Sequence, residues 1–161
     1  MLSVRLVRTI EDHAEPLTQG VLTQLQTDPH LPHLSRVSRP ELEAWVRNLY
    51  ADLGRWLGAE SGQPPIEETY RTMGWHRHAE GVPLSEAVYS LVLTKNWLRD
   101  YIRRVSVPDT ALDLAAEEEL YLLLSSFFDQ AIIHLIRGYE REEDFQRRLA
   151  AERAASERLS V

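Results

Sequence analysis

Seven residues near the middle of the chain constrain the fold most, because they predict a sharp corner between two helices. They run from Glu80 to Glu86 and read Glu-Gly-Val-Pro-Leu-Ser-Glu. Gly81 suits the left-handed conformation that ends many helices. Pro83 has a fixed φ and no backbone N–H, so it fits the first turn of the helix that follows. We therefore predict two helices between Ile66 and Val105, which form a scaffold rather than a reaction centre.

Apolar residues recur every three or four positions along most of the chain, which is the period of an amphipathic helix. The N-terminal pattern, from Leu6 to Leu25, contains Pro16, so we expect a kink or a new start there. Ser38 and Glu41 have the spacing of a capping box in front of the next helix. Residues 84–105 carry apolar side chains on two faces, which indicates a central helix buried on more than one side. No strand is expected, so the predicted class is all-α.

The longest helical pattern begins near Ala111 and continues to the C-terminus without a proline. Its first half is strongly apolar, whereas charged residues of both signs predominate from Glu140 onward. A mixed-charge helix that cannot bury itself in its own domain usually pairs with another element. We therefore predict a helical domain over residues 1–139 and a charged signalling or linker helix over residues 140–161.

Three side chains, Tyr139, Phe145 and Leu149, are the predicted contact residues of this C-terminal helix. Phe145 and Leu149 lie one turn apart on one face, with Glu and Arg residues beside them. Such a seam suits the pairing of two helices, but it is too sparse to hold a dimer alone. We expect the main contact of a homodimer to lie on the preceding, apolar half, with the tail acting as a lever.

Composition excludes several classes of function. The chain has 161 residues, which suits one domain, and a net charge of −7, which does not suit a nucleic-acid partner. The absence of cysteine excludes disulfides, thiolate zinc sites and a cysteine nucleophile, and it suits a reducing compartment. Because no apolar run approaches about 18 residues and no secretory signal is evident, we expect a cytoplasmic protein without membrane insertion.

No sequence motif that indicates an enzyme site is evident. Runs of carboxylates lie at helix starts or on charged faces, and neither a Gly-rich phosphate loop nor a Gly-x-Ser-x-Gly elbow is present. His76 and His78 would point about 200° apart on a helix, so they cannot share a metal. His30 and His33 in a proline-rich loop make only an incomplete metal site. We expect no catalytic residue, no metal and no cofactor.

Two alternatives that involve a small ligand stay open. His134 lies among apolar residues and is expected to be buried or half-buried with one hydrogen bond, but an axial haem ligand on an apolar helix would look the same. The tryptophans and tyrosines are expected to fill the core. The alternative for them is a ligand pocket, whose candidate residues are Trp75, His78, Trp97 and Tyr101.

The corner and its flanking helices resemble a known family. The resemblance is carried by Tyr70-x-x-x-Gly74 with Arg77, by the corner itself, and by the run from Phe128 to Arg141. These segments are similar to the N-terminal non-haem globin-like domain of the RsbR and RsbRD co-antagonists of the bacterial stressosome. The same domain heads a number of bacterial sensor histidine kinases. The likeness extends from Leu6 to Glu143.

The resemblance implies a globin-like helical fold, a homodimer, a sensory role in the stress response and no bound haem. It supplies no catalytic residues. The kinase and phosphoacceptor modules that usually follow this domain are absent, so we expect either a fragment or a protein that stands alone. The expected function is a non-enzymatic sensory domain that dimerises with itself, relays a signal to a downstream signalling module, and responds to an unknown small molecule. The alternative is a globin that binds haem or a small ligand.

Overall fold

A computed structural model describes residues 2–59, 62 and 64–159, with side chains from residue 7 onward. In this part of the chain the regular structure consists of six α-helices and one short 3₁₀ turn. They are α1 (Leu2–Asp12), α2 (Ala14–Thr27), the 3₁₀ turn (Leu34–Arg36), α3 (Arg39–Leu57), α4 (Glu67–Ala79), α5 (Leu84–Val105) and α6 (Ala111–Leu159). The predicted all-α class with a long C-terminal helix is confirmed.

The core is centred on Phe127, in the first half of α6. Its ring lies edge-on to the rings of Trp56, Tyr70 and Phe128, with centroids 5.7, 5.9 and 5.4 Å away. Edge-to-face pairs of this kind stabilise a core beyond the area that they bury. Because Trp56 comes from α3 and Tyr70 from α4, this cluster joins both helices to α6.

The corner forms as predicted. Gly81 has a φ of 72°, in the left-handed region. Its N–H donates to the His78 carbonyl at 3.0 Å, and the Val82 N–H donates to the Arg77 carbonyl, also at 3.0 Å. These two bonds define a Schellman motif, which satisfies the last carbonyls of α4. Pro83 lies one position in front of the first turn of α5, where its carbonyl accepts the first hydrogen bonds of that helix.

The predicted break near Pro16 is also found, between α1 and α2. Because α1 ends at Asp12 and α2 begins at Ala14, Pro16 occupies the first turn of α2, where an N–H is not needed. The capping box predicted in front of α3 is wrong. Ser38 does occupy the N-cap position, but its side chain makes no capping hydrogen bond. Pro40 follows within the first two helical positions, so one of the N–H groups that a cap would satisfy does not exist.

The helix α5 contacts α2, α4 and α6, which confirms its predicted burial on more than one side. The helix α6 runs for 49 residues, which is about 73 Å at the usual rise of 1.5 Å per residue. Thr110 caps it, since its hydroxyl oxygen accepts the Asp113 N–H at 3.1 Å. No break in the helix marks the predicted domain boundary after Tyr139, so the division into domain and tail stays a prediction.

The helix α6 also contains an 18-residue window with a mean hydropathy of 1.3, so among the described helices it alone has the length and composition to cross a membrane. Such a window is weak evidence, because the core helix of a soluble protein gives the same result. In this helix 33% of the window is buried. The exposed side of the same half carries Ser126, Asp129 and Gln130, which are poorly suited to lipid.

Candidate functional site at the crossing of α4 and α6

Two glycines bring the backbones of α4 and α6 into direct contact. A Cβ atom on Gly74 of α4 would lie 2.1 Å from the Leu135 carbonyl oxygen, and one on Gly138 of α6 would lie 2.0 Å from the Arg71 carbonyl oxygen. Any residue larger than glycine at either position would therefore force the two backbones apart. From the sequence, Gly138 is an isolated glycine inside a long helix, and such a glycine usually has a packing reason.

Tyr139, the next residue along α6, ties this crossing to the corner. Its hydroxyl donates to the Val82 carbonyl at 2.9 Å, and its ring lies edge-on to His78 with centroids 4.9 Å apart. Burial raises the pKa of Tyr139 above its ordinary value, so the hydroxyl keeps the proton that it donates. The predicted contact residue Tyr139 therefore lies where α6 leaves the helical body.

Arg77, near the end of α4, links the corner to α3. The residue is only 6% exposed, and its Nη1 lies 2.6 Å from Glu80 Oε2. Its guanidinium lies over the Trp45 ring, 5.5 Å from the ring centroid. A buried arginine needs such partners, because an unpaired charge in the core would be strongly destabilising. The last turn of α4 is therefore held on two sides, by the corner and by α3.

A groove opens beside the crossing. Trp75 is 46% exposed and Phe145 is 54% exposed, which is unusual for large aromatic side chains. With Arg71, Gly138 and Arg141 they line a shallow cavity of about 400 Å³. Leu149, the last predicted contact residue, is half-buried one turn beyond Phe145. The groove therefore lies between the body and the exposed tail, with arginines beside its aromatic surface.

The four residues predicted to form a ligand pocket fall into two groups. Trp75 lines the groove and His78 contacts Tyr139, so both lie against α6. Trp97 instead packs on α2, where its ring would be 2.3 Å from a Cβ atom on Gly20. The Tyr101 ring lies 5.6 Å from that of His13. The structure does not bring the four side chains together around one cavity.

His134 is half-buried, as predicted, but one of its ring nitrogens lacks a hydrogen bond to the described residues. Its Nδ1 is buried without a hydrogen-bond partner among the described residues. His134 is not among the residues that line the groove between α4 and α6. That the protein binds no haem stays a prediction.

Glu86 is a buried carboxylate whose role the sequence did not reveal. It is 6% exposed, and its Oε2 accepts the N–H groups of His33 and Leu34 at 3.0 and 2.9 Å. Its Oε1 lies 2.6 Å from His33 Nδ1. Glu86 thus holds the loop between α2 and α3 against the start of α5. From the sequence, a glutamate in the first turn of a helix indicates only a favourable interaction with the helix dipole.

The loop histidines do not form a metal site. His33 pairs with Glu86, whereas His30 Nδ1 lies 3.0 Å from the Asp28 carboxylate. Among the residues that the structure describes, no group of three or more His, Asp or Glu side chains could hold a metal ion. Both histidines therefore have structural partners within the loop or at its anchor.

Comparison with known families gives a match over nearly the whole chain. The model described as the RsbT co-antagonist protein RsbRD N-terminal domain matches residues 7–156. The match extends from α1 into the exposed tail of α6, so it includes the corner and both crossing glycines. No curated protein and no solved structure matches the chain.

Proposed function

Since this chain belongs to the family of RsbRD N-terminal domains, we propose that it senses a signal as a homodimer and relays that signal through α6. Family membership itself implies a stressosome-type regulatory domain that interacts with signalling partners. Our proposal goes further than family membership, since it includes the dimer, the relay, the absence of haem and of catalysis, and a cytoplasmic location.

The observation that carries the relay is the continuity of α6 across its crossing with α4. The helix is packed in the core up to Leu135 and then continues without a break into an exposed tail. At the crossing the two backbones touch, so a shift of α4 cannot be absorbed by a change of side-chain rotamer. A displacement of the body would therefore move the tail, and a downstream module could read that movement.

Support for self-association comes from the outer side of the packed half of α6. Leu122 is 73% exposed and Ile133 is 48% exposed. They are eleven residues apart, which is about three helical turns, so they lie on the same side of the helix. Two such helices packed side by side would cover both residues, and the two tails would then leave the body as neighbours.

Sedimentation equilibrium tests the dimer. We expect a dimer for residues 1–161 and also for a chain truncated after Arg141, because the main contact precedes the tail. Leu122→Asp combined with Ile133→Asp should give a monomer. The matched control is Leu114→Asp, because Leu114 is another exposed leucine of α6, 52% exposed, that lies about 80° round the helix from Leu122. A monomer for the unmodified chain would contradict the relay, since a single tail has no partner to move against.

A further inference from the structure

Three basic side chains follow one side of α5, next to the first half of α6. They are Lys95, Arg99 and Arg103, which are four residues apart and therefore lie along one face of the helix. Arg99 and Arg103 are exposed. Burial raises the pKa of Tyr121 on α6, and the positive charges of Arg103 and Arg99 oppose that rise. This basic row therefore runs beside the Tyr121 side of α6.

The basic row has little to neutralise it within its own chain. Lys95 and Arg103 form no ion pair with any residue that the structure describes. Arg99 lies 3.8 Å from Asp100, its neighbour in the chain, and both side chains are about half-exposed. Such an exposed pair stabilises a protein by less than about 1 kcal/mol. Three neighbouring cations that keep their charge, in a chain with a net charge of −7, indicate an acidic binding partner.

The opposite flank of α6 carries an acidic side chain that suits this row. Around the helix, Leu122 lies between Tyr121, about 100° to one side, and Glu119, about 60° to the other. Since Tyr121 is on the side of the basic row, Glu119 is on the flank turned away from it. Glu119 is exposed and has no ion pair within the described part of the chain.

The symmetry of the proposed dimer decides which of these surfaces meet. In a dimer with neighbouring tails the two-fold axis runs along the paired α6 helices, so each flank of α6 faces the other flank of the second copy at the same height. Glu119 and Tyr121 are less than one helical turn apart, so the basic row and Glu119 match in height. An antiparallel pair of helices would instead bring the two basic flanks to the same side.

We propose that the basic row of each copy binds Glu119 of the second copy, so that two equivalent charge contacts flank the apolar contact and hold the two α6 helices parallel. This inference rests on the proposed dimer and gives it a direction. Complementary charges at an interface fix its orientation, and like charges placed opposite each other disfavour the wrong arrangement. The parallel arrangement is the one in which the tails leave the body as neighbours.

Charge reversal on the two sides of the contact tests the proposal by sedimentation equilibrium of the full chain. One variant is Glu119→Arg, and the other combines Arg99→Glu with Arg103→Glu. Each variant alone places like charges at both contacts of its homodimer, so its dissociation constant should rise at least about tenfold. An equal mixture of the two variants has opposite charges at both contacts. It should form a heterodimer within about threefold of the unmodified affinity.

The sign of the effect separates this contact from general repulsion between two acidic chains. Glu119→Arg makes the net charge of −7 less negative, so general repulsion would fall and the dimer would tighten, whereas the proposal predicts a weaker dimer. The matched control is Glu118→Arg, the same change at the neighbouring exposed residue. Glu118 lies about 40° from Leu122 on the flank of the basic row itself, so its reversal should not weaken the dimer.

Two results would overturn the proposal: reversed variants that dimerise as tightly as the unmodified chain, or a mixture that does not restore the affinity. If the unmodified chain is a dimer in either case, the proposed function still stands and only the charge contact fails. A monomeric unmodified chain would contradict both. Circular dichroism shows whether each variant is folded, and Glu119→Gln, which removes the charge without reversing it, should weaken the dimer by a smaller factor.

Discussion

The glycine crossing of α4 and α6 makes a quantitative prediction for Gly138→Ala. The new Cβ atom would lie 2.0 Å from the Arg71 carbonyl oxygen, about 1.4 Å short of an ordinary contact. The obstacle is backbone, so no side-chain rotation can relieve it. The two helices would have to separate along a contact that also includes Gly74, and the packing around Tyr139 would change with them.

The magnitude follows from two opposing effects. Overpacking a well-packed interior costs typically 1–3 kcal/mol, and a backbone obstacle places this site near the upper end. Alanine in a helix interior recovers about 0.5–1 kcal/mol relative to glycine. Gly138→Ala should therefore reduce the free energy of unfolding by about 2 kcal/mol. For a chain of this length that corresponds to a fall in Tm of roughly 4–8 °C.

Gly54→Ala is the matched control, because it makes the same change inside α3 where a Cβ atom meets open space. It should raise the free energy of unfolding by about 0.5–1 kcal/mol. Urea unfolding followed by circular dichroism measures both variants on one scale. If Gly138→Ala were as stable as Gly54→Ala, the backbone contact between α4 and α6 would be refuted.

Three further predictions concern the corner, the loop and haem. Gly81→Val should destabilise the protein by at least about 1 kcal/mol, because φ is 72° at that position. Gly81→Asn should cost less. An unchanged urea midpoint for Gly81→Val would contradict the left-handed conformation at the corner. A hydrogen bond from the His30 backbone N–H, and a weaker effect of the Tyr89 hydroxyl, hold the pKa of Asp28 below its ordinary value of 3.8. The ionised Asp28 therefore stabilises the folded protein above pH 3.8. This stabilisation is lost as the pH falls through the lower pKa of Asp28 in the folded state. In Asp28→Asn the urea midpoint should therefore fall less at acid pH than in the parent protein. An equal fall in both proteins would contradict the hydrogen bonds proposed for Asp28. The purified protein should show no Soret band, and stoichiometric haem binding that His134→Ala removes would favour the globin alternative.

The local parts of the fold were predictable because their causes lie within a few residues of one another. Pro16, Gly81 and the proline-free run after Ala111 each act on the backbone directly, and the helices begin or end beside them. Ser38 shows the limit of this reasoning. The spacing of a capping box was present, but Pro40 removed one of the N–H groups that such a cap would satisfy.

The long-range contacts were not predictable, because they depend on how the helices are placed. Glu86 accepts hydrogen bonds from a loop more than fifty residues earlier in the chain. Trp97 was expected in the core, with a pocket shared with Trp75 as the alternative, but its position over Gly20 is set by the approach of α5 to α2. The groove beside Trp75 likewise lies between two helices, and its size cannot be read from the periodicity of the sequence.

The relay through α6 is tested most directly by the distance between the two tails. The chain contains no cysteine, so Ala151→Cys on the exposed tail provides a single site for a spin label. Pulsed electron paramagnetic resonance should give one inter-label distance distribution for the dimer. That distribution should shift in Gly138→Ala, which displaces the crossing, and stay unchanged in Gly54→Ala. An identical distribution in all three proteins, or no inter-label distance at all, would contradict the relay.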